Sequence, residues 1–312
     1  MYSIVIPVYN EEENVAPLYS SLKRVLDKLA DKYEIIFVDD GGKDKTFEKL
    51  SGIATNDAHV KVIKFRRNFG QSAAIAAGFE HATGEIVVSM DGDLQNTPED
   101  IPRLLDKLGE GYDVVCGWRR KRRDPLITKK VPSRVFNWLA SKISGVKIHD
   151  FGCTLRVYKR EVVKSLSIYG EMHRYIPAQA AWNGYIIGEV EVSHVPRKLG
   201  STKYGVGRVV AGALDLLTSY FLAKYFARPM HLFGTLGALS TAAGVVVGAY
   251  LAALRLVYGV PLSDKPLLLL AVLLVIIGVQ FMVLGLLGEM FTKYRYETGK
   301  KFFDIERKVN LD

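Results

Sequence analysis

Hydrophobic and polar positions along the first two-thirds of the chain follow two alternating periods. Short β-branched runs recur at 3–8, 34–38, 60–65, 85–90 and 113–117. Between them, 15–29, 46–54, 72–82 and 98–108 repeat apolar residues at helical spacing, and in the first of these Leu18, Leu22, Val25, Leu26 and Leu29 share one face. Strands alternating with helices predict an α/β fold, a Rossmann-like, mostly parallel, doubly wound sheet flanked by helices. Ligands of such sheets gather where the chain leaves the carboxyl ends of the strands.

The pattern changes after Arg228. Residues 229–254 and 266–288 contain no Asp, Glu, Lys or Arg, and each run holds 23 or more residues. At roughly 1.5 Å per residue either run covers the roughly 30 Å of a bilayer's hydrocarbon. The alternative, a buried core hairpin, has no nearby soluble sheet to cover it, and Gly234, Gly237, Gly244 and Gly248 suit close helix contact in lipid. The expected organisation is an α/β domain over 1–205, interfacial amphipathic helices over 206–228, a transmembrane hairpin over 229–291 with spans at about 230–256 and 266–289, and a tail over 292–312. The stretch 208–226 is rich in Leu, Tyr and Phe, but Arg208 and Asp215 fall on one helical side and Lys224 nearly opposite, so a bend or two shorter helices is expected there.

Charge adds an orientation. Lys203, Arg208, Lys224 and Arg228 precede the hairpin and Lys293, Arg295, Lys300 and Lys301 follow it, whereas the connection between spans carries only Arg255 and Lys265 beside Asp264. Both termini and the front domain are therefore expected on the cytoplasmic side of the cell membrane. No apolar leader-like segment precedes Glu11, so no cleaved signal is expected. Cys116 and Cys153 are too few for a disulfide framework. The net charge of +9 comes without a groove-reading basic helix or an aromatic RNA-binding motif, which argues against nucleic acid and for anionic lipid and phosphate partners. The densest basic cluster, Arg119 to Arg123, is expected to be a loop closed by Asp124-Pro125.

Three strand exits carry unusual chemistry. The first reads Pro7-Val8-Tyr9-Asn10-Glu11-Glu12-Glu13, acidic residues that suit either a helix start or a ligand. The second reads Asp39-Asp40-Gly41-Gly42, then Asp44 and Thr46. Adjacent carboxylates repel unless they bind something, and an Asp here can accept from a base or ribose hydroxyl, although the turn alone could account for Asp40 and the glycines. The third reads Asp91-Gly92-Asp93-Leu94-Gln95, two carboxylates able to face one hard cation, with Gly92 giving the backbone room and Gln95 a neutral oxygen. An aspartyl-nucleophile phosphatase would want Thr or Val two residues past the second Asp, where Gln95 stands. His149, His173, His194 and His231 have no metal-ligand spacing and are read as structural or surface residues.

Together with Arg67-Asn68-Phe69-Gly70-Gln71, Pro98-Glu99 and Asp150-Phe151-Gly152-Cys153-Thr154-Leu155-Arg156, these stretches resemble the family 2, GT-A fold glycosyltransferases that act on polyprenyl phosphates, such as dolichol-phosphate mannose synthases and polyisoprenyl-phosphate glucosyltransferases. The resemblance implies that Pro7, Tyr9, Glu11 and Asp39 line a nucleotide, with Asp40, Gln71, Asp91 and Arg119 completing the nucleotide-sugar set. It implies Mg2+ or Mn2+ at Asp91, Asp93 and Gln95, and a catalytic set of Asp93, Arg134, Asp150 and Arg156 in which the two arginines meet phosphate. Two departures stand out: Gly42 where the family's turn has Ser, and Cys153-Thr154-Leu155 where it has Ser-Gly-Phe.

The implied reaction is transfer of one hexose, with UDP-glucose or a related UDP-hexose favoured over GDP-mannose, to a polyisoprenyl phosphate at the membrane. A phosphate monoester loses its second proton near pH ~6, so the acceptor arrives largely as a dianion. Inverting in-line displacement then needs no strong base, and Asp150 is expected to orient Arg156, Arg134 or the acceptor. A processive synthase would want Gln-x-x-Arg-Trp, and the nearest stretch, Gln179-Ala180-Ala181-Trp182, lacks the Arg. An inactive nucleotide-sugar-binding adaptor is disfavoured by Asp91, Asp93 and Gln95, and a homo-oligomer is compatible with the sequence.

Overall fold

The computed structural model describes all residues except 30, 121–140, 142–144, 167, 169, 171, 196–228, 260, 262–265, 299–304 and 311–312, with backbone alone for 292–298 and 305–309. The expected interfacial helices and Arg134 lie outside the described residues. The chain forms two compact units, Met1–Ser219 with Phe302–Asp312, and Tyr220–Lys301.

In the first unit, strands β1 (Tyr2–Val8), β2 (Tyr33–Asp39), β3 (Val60–Phe65) and β4 (Ile86–Ser89) alternate with helices α1 (Val15–Leu26), α2 (Thr46–Asn56) and α3 (Gln71–His81). Helix α4 (Ile101–Gly109), β5 (Val114–Trp118), β6 (Arg156–Lys159), α5 (Arg160–Ser165), α6 (Ile176–Trp182) and β7 (Ile187–Glu191) follow. The last strand, β8, is Ile305–Val309. The described strands make one sheet ordered β7-β5-β6-β4-β1-β2-β3-β8. The pairings β3-β2-β1-β4 and β5-β7 are parallel, whereas β6 runs antiparallel between β4 and β5, and β8 antiparallel along β3. The sheet is therefore mixed, more so than the alternation of elements suggests.

Every residue of β2 is buried, as a strand covered on both faces requires. One face packs on α1, α2 and α4 through Leu18, Leu22, Leu50 and Leu104, and the other on α3 and α6 through Ala74, Ala77, Phe79 and Ile176. Helix α3 lies so close to the sheet that a Cβ on Gly78 would fall 2.2 Å from Val5 Cγ1. This close approach fixes the height of the α3 N-terminus above the carboxyl end of the sheet.

At the opposite end, the starts of four strands meet on Glu34, which is 2% exposed. Its carboxylate accepts from the Ser3 hydroxyl, from Thr83 N–H at 2.7 Å and Thr83 Oγ1 at 2.8 Å, and Lys61 Nζ lies 2.7 Å away. Burial alone would raise the pKa of Glu34, but Lys61, Ser3 and Thr83 hold it below its ordinary value. The segment read from the sequence as a tail returns as β8, and Asn310 Nδ2 then donates to Ala54 O at 3.0 Å and Val60 O at 2.9 Å.

The second unit contains α7 (Pro229–Tyr258) and α8 (Pro266–Thr298). The two pack antiparallel through small residues: a Cβ on Gly237 would meet Gly278 O at 2.5 Å, one on Gly244 would meet Ala271 O at 2.8 Å, and Ser240 Oγ donates to Leu274 O at 2.8 Å. Both helices are long and apolar enough to cross a membrane, and only 17% and 11% of their most apolar windows is buried. Leu239, Val246 and Leu269, at 66%, 67% and 76% exposure, face away from protein, unlike residues of a core hairpin.

Candidate active site

The loops after β1 and β2 are stitched together before any ligand is considered. Glu11 N–H donates to Thr46 Oγ1 at 2.9 Å, Glu12 N–H to Asp44 Oδ2 at 3.1 Å, and Lys43 N–H to Asn10 Oδ1 at 2.8 Å. Glu11 itself accepts from Asn14 Nδ2, so its carboxylate serves the start of α1. Asn10 holds φ 52°, a strained left-handed backbone at the strand exit.

The two carboxylates after β2 have different uses. Asp40 accepts from Phe69 N–H at 2.7 Å and Gly70 N–H at 2.9 Å, clamping the loop that leads into α3. Burial pushes its pKa up to about 6 against those bonds. The clamp draws the loops together until a Cβ on Gly41, at φ +69°, would lie 2.3 Å from Arg67 C. Asp39 is fully buried and accepts from Gly42 N–H at 2.9 Å through Oδ1, while its Oδ2 is buried without a hydrogen-bond partner among the described residues. Burial raises its pKa. A Cβ on Gly42 would sit 2.7 Å from Asp39 Oδ1, so glycine here gives the carboxylate the room that the family's Ser would take. Beside it opens a cavity of about 460 Å³ lined by Tyr9, Gly42, Lys43, Lys64, Arg66 and Arg67 among others. Four cations around a cavity suit an anionic occupant.

Beyond β4, Gly92 is pressed against β1, where a Cβ would meet Val8 Cγ1 at 2.6 Å, and Leu94 takes φ 60°. This tight turn sets Asp91 and Asp93 side by side. Gln71, the first residue of α3, donates from Nε2 to Asp91 Oδ1 at 2.7 Å, and Thr154, whose hydroxyl accepts from Asn96 Nδ2 at 3.0 Å, lies close enough to lower the Asp91 pKa. Burial and then the neighbouring Asp93 charge push the Asp91 pKa up to about 6, while Thr154, Arg119 and Arg156 pull it down. Asp93 Oδ1 accepts from Gln95 N–H at 3.1 Å, and Gln95 O accepts from Val195 N–H at 3.1 Å, so the backbone of Gln95 braces the turn.

No group of three or more His, Cys, Asp or Glu among the described residues could hold a metal by itself. Asp91 and Asp93 supply two carboxylates, a donor set that Mg2+ or Mn2+ can use when water and substrate phosphate complete the shell. The Asp93 charge works against ionised Asp91, and a cation bound between the two carboxylates would offset it.

Arg119, just past β5, forms a two-pronged ion pair with Asp150: Nε to Oδ2 at 2.7 Å and Nη2 to Oδ1 at 3.0 Å. The expected orientation of Arg156 by Asp150 does not occur. Arg156, 2% exposed, instead donates to His173 O at 2.8 Å and Phe151 O at 2.6 Å, and its Nε has no hydrogen-bond partner among the described residues. Its positive charge lowers the Asp91 pKa without a hydrogen bond to it among the described residues. The sequence reading overlooked Thr154, Ser72 and Glu189. Ser72 Oγ pairs with His173 Nδ1 at 2.8 Å, linking α3 to the backbone that holds Arg156. Ser72 and Glu189 show no local sequence signal, because their partners are remote along the chain, and Thr154 stands out only where it departs from the family's glycine.

Residues 3–167 match the family model described as glycosyl transferase family 2. Dodecaprenyl-phosphate galacturonate synthase of Rhizobium johnstonii is 38% identical over 300 residues, covering 94% of this chain and 88% of that protein. Undecaprenyl-phosphate 4-deoxy-4-formamido-L-arabinose transferase of Shewanella sediminis is 40% identical over 291 residues, 92% of this chain and 86% of that protein. The crystal structure of glucosyl-3-phosphoglycerate synthase from Mycobacterium tuberculosis, in complex with Mn2+ and UDP-glucose, superposes with TM-score 0.55 at 20% identity, over 72% of this chain and 78% of that one, a likeness of fold. With matches over this much of its length and a GT-A sheet presenting carboxylates at its strand exits, the chain belongs to glycosyl transferase family 2 and is a glycosyltransferase.

Proposed function

We propose that the protein transfers a single sugar from a UDP-sugar to a polyprenyl phosphate, at the cytoplasmic face of a membrane spanned by α7 and α8. The observation that carries this reading is the pairing of a cationic cavity at the exits of β1, β2 and β3 with the crowded Asp91–Asp93 pair at the neighbouring exit of β4. Asp39 accepts from an N–H of the base or from a ribose hydroxyl, and Lys64, Arg66 and Arg67 supply positive charge beside it. Asp91 and Asp93 would hold Mg2+ or Mn2+, which would supply positive charge to the diphosphate leaving group. Gln71 keeps Asp91 in place from the α3 N-terminus, and Arg119, fixed by Asp150, presents a positive charge near the same carboxylate.

The acceptor phosphate oxygen attacks the anomeric carbon, the bond to the diphosphate breaks, and UDP leaves with the electron pair, inverting the centre. Because the acceptor is a dianion, no proton need move in this step. The relatives' names, galacturonate and formamido-arabinose, widen the donor from UDP-glucose to UDP-sugars that include uronates and aminopentoses. Purified full-length protein offered labelled UDP-glucose, UDP-galacturonate, UDP-4-formamido-arabinose and GDP-mannose with undecaprenyl phosphate should label the lipid from one of the UDP-sugars. Labelling from GDP-mannose alone, or nucleotide binding with no lipid product from any donor, would reject the proposal.

A further inference from the structure

Asp150 lies at the end of 145–150, a stretch with no helix or strand of its own, yet its carboxylate must stay in register with Arg119. Arg119 grips only the side chain. The backbone is gripped from the other neighbouring strand: Glu189 of β7 accepts through Oε1 from His149 N–H at 2.8 Å and from Asp150 N–H at 3.2 Å. Its second oxygen, Oε2, lies 2.7 Å from His149 Nδ1. The His149 ring in turn stacks on Trp118 of β5, with centroids 4.3 Å apart and planes 17° from parallel. Strands β5 and β7 are parallel neighbours with Cys116 opposite Glu189, so Trp118, Arg119 and Glu189 rise from one rigid piece of sheet. The Glu189 side chain is 12% exposed while His149 is 65% exposed, which puts the fixed end of the contact on the strand and the adaptable end on the loop.

We infer that Glu189 is a positioning residue of the transferase: by accepting both backbone N–H groups it holds Asp150 where it can orient Arg119. The inference rests on the proposed role of the Arg119–Asp150 pair in the reaction. What matters is the acceptor oxygen more than the negative charge, since one oxygen serves both amides and the His149 contact is peripheral.

The test compares Glu189→Ala, Glu189→Gln and Glu189→Asp in the full-length protein. E189A should lower kcat by about tenfold while the KM for the UDP-sugar stays within about twofold, because misplacing an orienting group costs rate more than binding. E189Q, whose amide oxygen still accepts, should recover most of the rate. E189D, one methylene short, should fall between, and it carries the test if E189A does not fold. Amide hydrogen exchange at His149 and Asp150 should quicken in E189A and not in E189Q, whether or not the substrates are those proposed. Unchanged kcat and exchange in E189A, a parallel rise in KM, or E189Q as impaired as E189A would overturn the inference. If D150A turned over at the wild-type rate, the reading of the Arg119–Asp150 pair would fail, while faster exchange in E189A would still establish the anchor.

Discussion

Strand β2 carries a buried carboxylate near each end, and the fold treats the two in opposite ways. Glu34, near the amino end, is surrounded by Ser3, Thr83 and Lys61, and these partners outweigh burial and lower its pKa. Asp39, at the carboxyl end, has one backbone partner, one orphaned oxygen and a raised pKa, and Asp40 and Asp91 nearby are raised as well. A carboxylate satisfied by protein serves the fold. A carboxylate buried at a cost, beside another of its kind and beside a cationic cavity, is the kind of group we propose is held for a ligand. The sheet thus has a structural end and a chemical end, built from the same residue types.

The sharpest break of this symmetry is Asp93→Asn. It should lower metal-dependent turnover by about a thousandfold, while the melting temperature of the protein without metal holds or rises, since it relieves the repulsion on Asp91. At the other end Glu34→Ala should do the reverse. Loss of a buried carboxylate that accepts three hydrogen bonds and pairs with Lys61 costs about 3 kcal/mol, a fall of roughly 6–12 °C in melting temperature for a unit of this size, with UDP affinity below the transition unchanged.

Asp150→Asn removes one half of the two-pronged hold on Arg119. A loss of about tenfold in kcat, with an unshifted pH–rate profile, is expected of an orienting group; a profile that lost its acidic limb would mark Asp150 as a proton acceptor instead.

The smallest effect is in acid stability. Glu34, with its folded pKa lowered, contributes stability that is fully present above the unfolded value near 4.5 and is lost as pH falls through the lower folded value. Asp40 and Asp91 are raised from 3.8 to about 6, so the folded state without metal binds more protons than the unfolded one in that window and loses stability as pH rises through it. Thermal melts across pH 4 to 6 should therefore flatten in D40N, and Glu34→Gln should spare the protein its loss at lower pH.

How much of this was legible in the sequence depended on range. Strands β1 to β5 and helices α1 to α4 announce themselves by period, and the exits at Asp39 and Asp91 by charge after an apolar run. Strand β6 does not, because Arg156-Val157-Tyr158-Lys159 is four residues long and begins with an arginine that the sheet buries. Strand β8, Ile305-Glu306-Arg307-Lys308-Val309, is polar, as an edge strand can be, and reads as a tail until β3 is seen beside it. The partners of Asp150, Arg119 at 31 residues' separation and Glu189 at 39, are set by which strands neighbour one another, and no local pattern encodes that. Thr154 stands out only as a departure from the family's glycine, and its influence on the Asp91 pKa gives that departure a physical role.

The claim that the carboxyl end of the sheet is held for a metal and a nucleotide is tested most directly by calorimetric titration of UDP into the full-length protein, with Mn2+ and with chelator, in the wild type and in D93N. Wild-type affinity should rise at least about tenfold with Mn2+, or about 1.4 kcal/mol, and D93N should bind UDP equally weakly under both conditions. Equal affinity with Mn2+ and with chelator in the wild type would contradict it.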